Sequence, residues 1–244
     1  MRAGPLDGEA PQDGVVLPVG PRRGDLGQQL QCRPQPVQVD QLEVRLDGTT
    51  VLSASGVDTQ HTGNATANIV TLLSNYLGTE AVGVFFLDDL YICDGQGAAN
   101  ADFLGDCRVD TVLPEADGGQ ADFSPSTGTD HYALVDEASP NDDTDYVESS
   151  TLGHAERYGF AALPALTADV YGVQLNVQAK NPGVGSRSLA GLARAGGVTA
   201  TGADQALTSA YRNLTQVWEV APDTEVAWTQ AGVNGAEFGV QVTV

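Results

Sequence analysis

Apolar and polar residues alternate along much of the chain, and the clearest case is the stretch QLEVRLDGTTVLSASG. Leu42, Val44 and Leu46 alternate there with charged neighbours, which is typical of a strand with one buried face. The pair Asp47 and Gly48 that follows is a common two-residue hairpin turn. We therefore expect a β-hairpin in which TTVLSASG is the returning strand and the three apolar side chains carry one sheet face.

The same alternation predicts strands elsewhere in the chain. In the first half, the apolar segments are ATANIVTLLS, EAVGVFFLDDLYICD and CRVDTVLPEAD, the last of which is ended by Pro114. Five more apolar segments follow in the second half, separated by Gly, Pro, Asn and Asp residues that favour turns: RYGFAALP, DVYGVQLNVQAK, SRSLAGLARAG, YRNLTQVWEVAP and EFGVQVTV. Helix signals are weak, and GADQALTSAY predicts at most one turn.

These patterns predict an all-β protein with two small β-sandwich domains. Residues 1–39 are rich in Pro, Gly, Gln and Arg, which indicates an irregular N-terminal arm. Residues 40–144 are expected to form a partial sandwich that ends in an acidic connector. Residues 145–244 are expected to form the second sandwich.

The charge of the chain narrows the classes of partner. Its 32 acidic and 11 basic residues give a net charge of −21. Such a surface repels nucleic acid, so we expect no nucleic-acid partner. The acidity mainly favours solubility, and cation binding is the narrower alternative. The sequence has no apolar run of 18 residues, which predicts no membrane span, and its N-terminus lacks the apolar core of a signal peptide.

One segment, LDDLYICDGQGAANADFLGDC, concentrates oxygen ligands that suit a hard cation. It contains Asp88, Asp89 and Asp94 in its first half, and calcium binds several such oxygens at once. The spacing differs from that of an EF-hand loop, and Asp and Asn residues also build turns. The segment is therefore either a series of turns or a calcium site with these three aspartates as ligands. No other cofactor is expected.

Two cysteines, Cys93 and Cys107, flank the acidic part of this segment. If the segment closes as a hairpin, their Cα atoms come within the distance that a disulfide requires; the alternative is a pair of partly buried thiols. Because the cysteine count is odd, with Cys32 as the third, and no secretion signal is present, a disulfide framework is not expected. Zinc would need further ligands, and the three histidines are scattered.

Sequence motifs of catalysis are absent. The chain has no G-x-S-x-G turn, no H-E-x-x-H and no Walker A sequence, so we predict that it is not an enzyme. Trp218 and Trp228 lie in the segment VWEVAPDTEVAWTQ, and we assign both to a sandwich core. Exposed tryptophans would instead suit the stacking of sugars in a lectin-like protein.

Several segments resemble virion proteins of tailed bacteriophages. LEVRLDGTTVLSASGVDTQHTGNA, FFLDDLYICDGQG and ADFLGDCRVDTVLPEADG are similar to the later half of a concanavalin A-like (laminin G-type) sandwich in those proteins. YGFAALP, VYGVQLNVQAK and VWEVAPDTEVAWTQAGVNGAEFGV resemble their second half. The resemblance covers residues 41–244 and implies that the two sandwiches are of the jelly-roll or concanavalin-like kind. It also implies a non-enzymatic virion component of the tail, a fibre or the capsid surface.

The resemblance also sets expectations about partners. It implies contacts with other virion proteins and a homo-oligomer; a trimer would fit a fibre or a three-fold capsid site, although no coiled-coil heptads are present. A complete sandwich of this type has more strands before Gln41. Either the true start of the protein lies upstream or in another reading frame, or a neighbouring chain completes the first sheet at an open edge. The alternative function is a lectin-like receptor-binding module that recognises host surface glycan.

Overall fold

The computed structural model describes residues 14–19, 30–33, 41–46, 48–55, 89–92, 98–165 and 169–244, and it describes 14–19, 30–33, 41, 42 and 46 by their backbone alone. The chain divides into two compact units. The smaller is Pro21–Cys107, and the larger combines Met1–Gly20 with Arg108–Val244. The boundary that the sequence predicts after residue 144 falls inside the larger unit. None of the helices in the described part of the chain is long and apolar enough to cross a membrane.

Fifteen strands account for most of the regular structure in the described residues. In chain order they are β1 Gly14–Val19, β2 Leu30–Arg33, β3 Gln41–Leu46, β4 Thr49–Ser55, β5 Arg108–Val112, β6 Pro114–Ala121, β7 Ser124–Pro125, β8 Val147–Glu148, β9 Ala155–Phe160, β10 Val173–Ala179, β11 Ser188–Ala195, β12 Val198–Thr201, β13 Gln205–Ala206, β14 Arg212–Trp218 and β15 Glu237–Val242. A 3₁₀ helix, Tyr132–Leu134, and one α-helix, α1 Gln230–Asn234, complete the described elements. The strands pair in antiparallel sheets, so the predicted all-β class is confirmed.

The smaller unit contains a three-stranded sheet in the order β2-β3-β4. The predicted hairpin is confirmed: Leu46 pairs with Thr49 across a two-residue turn, in which Gly48 has a φ of +73°. Glycine adopts this left-handed conformation without the clash that a Cβ atom would cause. Of the three side chains predicted to carry the sheet face, Val44 is half-buried, and the other two lie outside the described side chains.

The larger unit contains a four-stranded sheet in the order β14-β10-β1-β5 and a six-stranded sheet in the order β12-β11-β15-β9-β6, with β13 beside β11. Strand β1 lies in the segment predicted to be an irregular arm. Its Val15 pairs with Leu175 on one side and with Val112 on the other. The sequence GVVLPV is apolar without alternation, a short pattern that periodicity cannot assign to an element.

Side chains from the two sheets meet in one core. Val173 and Trp218 enter it from the four-stranded sheet, while Ala193 and Phe238 enter it from the six-stranded sheet. The Trp218 and Trp228 rings lie 6.0 and 5.8 Å from the Phe238 ring, centroid to centroid. The two tryptophans are 9% and 2% exposed, so their predicted core position is confirmed. We call this aromatic region the packed end.

The remaining sequence predictions divide into three groups. All five strands predicted for the second half are confirmed as β9, β10, β11, β14 and β15. The segment GADQALTSAY, for which at most one turn of helix was expected, contains β13 and no helix. ATANIVTLLS and most of EAVGVFFLDDLYICD lie outside the described residues. In the described part of the latter, residues 89–92 form no strand and Ile92 is exposed, so a buried strand there is wrong.

Candidate functional site

Away from the packed end, the two sheets of the larger unit line a cavity of about 860 Å³. We call this region the open end. Tyr158 and Phe160 of β9 line it from the six-stranded sheet, and Leu175 and Val177 of β10 line it from the four-stranded sheet. Pockets that bind small molecules commonly measure about 300–1,000 Å³. The open end is therefore large enough to hold a ligand between the sheets.

The deeper wall of this cavity is apolar. Phe123, Leu189 and Val242 are buried in a second core cluster, and all three line the cavity. Leu134, which the 3₁₀ helix contributes, is also buried and lines it. A wall of this kind favours the apolar parts of a ligand, because their transfer from water is favourable in proportion to the area buried.

Tyr158 brings a polar group into this apolar space. It alternates along β9 with Glu156 and Phe160, so the three side chains share the face of the strand that points between the sheets. Tyr158 is 7% exposed, and its hydroxyl has no hydrogen-bond partner among the residues that the structure describes. Burial, aided by the negative charges of Glu156 and Asp117, raises the pKa of Tyr158. The phenol therefore keeps its proton, and its hydroxyl can donate a hydrogen bond to an acceptor.

Glu156, on the same strand, is a fully buried carboxylate. One of its oxygens accepts the backbone N–H of Phe123 at 2.9 Å, and the other lies 2.8 Å from Nδ1 of His131. Asp117 accepts the backbone N–H groups of His131 and Tyr132. The bonds to Asp117 attach the start of the 3₁₀ helix to β6, and the contact of His131 with Glu156 attaches it to β9. Together they hold the helix at the cavity wall.

We expect Glu156→Ala to lower the free energy of unfolding by about 3 kcal/mol, because it leaves the buried Phe123 N–H without its acceptor and the His131 ring without the partner of its Nδ1 atom. Glu156→Gln keeps an acceptor oxygen and should cost much less. Urea denaturation at pH 7 measures both. If the alanine variant were as stable as the glutamine variant, the carboxylate would have no structural role.

The pH dependence of stability gives a second prediction for this carboxylate, which compares Glu156→Gln with the wild type. Burial raises the pKa of Glu156 above its usual value of 4.5, against the opposing effect of its hydrogen bonds. The folded state therefore retains a proton that the unfolded state has lost, and this group contributes less stability as pH rises above 4.5. We expect Glu156→Gln to gain stability relative to the wild type as pH rises from 4 to 7.

Two polar clusters lie at the mouth of the cavity. In the first, Asp143 accepts hydrogen bonds from Lys180 and from the Tyr211 hydroxyl, and the Lys180 ammonium lies 4.4 Å from the centroid of the Tyr211 ring. The bond from Lys180 lowers the pKa of Asp143. In the second, the Asn141 amide donates to Glu137 and Asp145. Burial, together with the charge of Asp145, raises the pKa of Glu137.

A serine and a histidine also approach each other at the cavity. The Ser149 hydroxyl lies 2.9 Å from Nδ1 of His154, but it also accepts the backbone N–H of Thr151, as in a local turn. The nearby Asp122 carboxylate accepts the Ala155 N–H and the Gln120 amide. A nucleophile is activated by a base that a third group orients, and Asp122 does not bond to the imidazole. The arrangement stabilises a turn.

The sequence-predicted site residues lie in the smaller unit and are only partly described. Asp88, Cys93 and Asp94 lie outside the described residues. Asp89 is half-buried at a φ of +53°, and Cys107 is 3% exposed. Among the described residues, no group of three or more His, Cys, Asp or Glu side chains is placed to hold a metal ion. The calcium site and the disulfide stay predictions.

The residues of the open end were missed by sequence analysis. One signal was present: in AERYGF, a glutamate occupies the same alternate positions as a tyrosine and a phenylalanine. A carboxylate on the apolar face of a strand indicates a buried polar interaction. The mouth clusters gave no signal, because Asp143 and Lys180 are 37 residues apart.

Comparisons with known proteins gave no match to a family model, to a curated protein or to a solved structure.

Proposed function

We propose that the chain is a non-enzymatic structural protein of a tailed-bacteriophage virion, part of the tail, a fibre or the capsid surface. It acts through contacts with other virion proteins, including further copies of itself. The resemblance of residues 41–244 to such proteins supports the proposal. One structural feature carries the mechanism of assembly, namely the edge of β4 that no other described strand of the smaller unit covers.

Strand β4 is the last strand of its sheet in the described residues. Six of its seven residues are exposed, and they include Val51 and Leu52. Its sequence, TTVLSAS, contains neither a charged residue nor a proline, which are the features that natural edge strands use to prevent pairing. A bulge at Val51 shifts the register with β3 but adds no charge. Such an edge can accept a strand from another chain.

The finer fold belongs to this proposal. The larger unit is a β-sandwich formed by its own two sheets, which pack against each other at the packed end. In the smaller unit, a neighbouring chain adds to the three-stranded sheet at β4 and thereby completes a second, concanavalin-like sandwich. A trimer is the assembly that best suits a fibre or a three-fold capsid site.

The lectin-like alternative stays a prediction. The two tryptophans that would have stacked on sugars are buried in the core. At the cavity mouth, Asp143 bonds to Lys180 and Tyr211, and Asn141 bonds to two carboxylates, so these groups already satisfy one another. A glycan array, with and without calcium, tests this alternative directly.

We expect Leu52→Lys in β4 to weaken self-association at least tenfold, which corresponds to about 1.4 kcal/mol. A lysine at an open edge opposes pairing through its charge and its hydration. Size-exclusion chromatography with light scattering, over a range of protein concentrations, measures the effect. The wild-type chain is expected to form a trimer or a larger ring.

The matched control is Val198→Lys in β12, an edge strand of the larger unit. Val198 is 47% exposed and Leu52 is 48% exposed, so both substitutions should change the stability of the monomer by less than about 0.5 kcal/mol. An equal effect of the two substitutions, or a wild type that is monomeric at every concentration, would contradict assembly through β4. Mass spectrometry of purified phage particles tests the virion location, and absence of the chain from them would overturn it.

A further inference from the structure

The open end has three properties that together define a ligand. The first is space between two apolar sheet faces, where Leu175 and Leu189 are buried and line a cavity of about 860 Å³. At the packed end of the same unit, aromatic side chains fill the space between these two sheets. At the open end, the described side chains do not fill that volume.

The second property is a donor without an acceptor. Tyr158 is more than nine-tenths buried, it lines the cavity, and its hydroxyl has no partner in the described part of the chain. A buried polar group without a partner is costly, and native proteins satisfy most such groups. An acceptor oxygen supplied by a ligand would satisfy this one.

The third property is the charge around the cavity. Among the described lining residues, carboxylates outnumber Lys and Arg side chains by six to two, and one of these two cations, Lys180, is already bonded to Asp143. An anionic ligand, such as a fatty carboxylate, would meet net repulsion there. The charge therefore favours a neutral molecule over an acid of the same shape.

We propose that the open end binds an uncharged, largely apolar small molecule that carries one acceptor oxygen, of the ketone, ester or amide class. Its apolar body lies between β9 and β10, and its oxygen accepts the hydrogen bond that the Tyr158 hydroxyl donates. This site is separate from the strand edge of the proposed function, and it does not depend on assembly.

Three matched probes test the proposal: butyrophenone, which has a carbonyl oxygen; butylbenzene, which lacks it; and 4-phenylbutanoate, which is anionic. Isothermal titration calorimetry of the full chain measures their affinities. We expect butyrophenone to bind about tenfold more tightly than butylbenzene. The Tyr158 hydroxyl gives up no hydrogen bond within the described part of the protein when it donates to the ketone oxygen, so the new bond adds to the affinity. We expect 4-phenylbutanoate to bind at least about tenfold more weakly than butyrophenone.

Two variants connect binding to the cavity. Tyr158→Phe keeps the ring and removes only the unpartnered hydroxyl, so it should fold with an unchanged or higher thermal midpoint. In this variant the preference for butyrophenone over butylbenzene should disappear. Val177→Trp, at a half-buried lining position, should abolish the binding of all three probes while the circular dichroism spectrum is retained.

Several results would overturn the proposal. Wild-type protein that binds no butyrophenone would do so, as would Tyr158→Phe protein that keeps the full preference for the ketone. Tighter binding of 4-phenylbutanoate would show that the charge argument is wrong. If the probes do not bind but Val177→Trp weakens self-association, the cavity holds a segment of a neighbouring chain instead of a small molecule.

Discussion

Replacement of Trp228 by alanine is expected to lower the free energy of unfolding by about 4 kcal/mol. The side chain is 2% exposed, and its ring contacts that of Phe238 in the packed end. Its indole N–H donates to the backbone carbonyl of Trp218 at 3.0 Å. Truncation therefore removes apolar contacts, leaves a cavity and deprives a buried carbonyl of its donor. Chemical denaturation, followed by circular dichroism, measures the change.

Leu152→Ala is the control for this prediction. Leu152 is 68% exposed, so its truncation should change the free energy of unfolding by less than about 0.5 kcal/mol. Trp228→Phe should fall between the two variants, because it keeps an aromatic ring and loses the donor. Equal stability of Trp228→Ala and Leu152→Ala would contradict the position of Trp228 in the core.

Gly239→Ala is the second substitution with a large expected effect, about 3 kcal/mol or more of lost stability. Gly239 lies in β15 and pairs with Arg157 of β9. A Cβ atom at this position would lie 1.9 Å from the backbone oxygen of Glu156 and 2.7 Å from the Cα atom of Arg157. Both are backbone atoms of the neighbouring strand, so the two central strands of the sheet would have to separate.

Gly159→Ala provides a matched control on β9, the strand that pairs with β15 in the same sheet. Gly159 pairs with Glu237 of β15, and a Cβ atom there would lie 3.7 Å from the Cβ atom of Ala116, an ordinary contact. We expect this variant to fold with nearly wild-type stability. Thermal and urea denaturation of the two variants side by side test the prediction. A similar loss of stability in both variants would show that the close approach of the strands at Gly239 does not cause the effect.

The strands that the sequence predicts well are those with one buried face. In β10 and β15, side chains of alternating polarity meet the core on one side and a more polar environment on the other, and periodicity reports this directly. The hairpin of β3 and β4 was predictable for another reason, because its turn needs a residue that tolerates the positive φ of Gly48. The core positions of Trp218 and Trp228 followed from their size and their strand context.

Other features depend on partners that are distant in the chain, and no local pattern shows them. Strand β1 is defined by pairing with β5 and β10, which lie far away in sequence. The cavity depends on how closely two sheets approach, and the bond between Lys180 and Asp143 depends on two loops that tertiary structure brings together. For the same reason, the sequence indicated a candidate site in the acidic segment around Asp89, where several aspartates lie close together along the chain.

The central place of β1 has a consequence for the order of events on the ribosome. Val15 is translated before both of its partners, Val112 and Leu175, so β1 cannot be flanked on both sides until β10 has been translated. The four-stranded sheet is complete only after β14 has followed. Loop closure costs more entropy for a longer loop, and non-local pairing slows folding. Residues 21–107 form a unit of their own. If that unit folds as soon as it is translated, it reduces the length of unfolded nascent chain that separates β1 from β5.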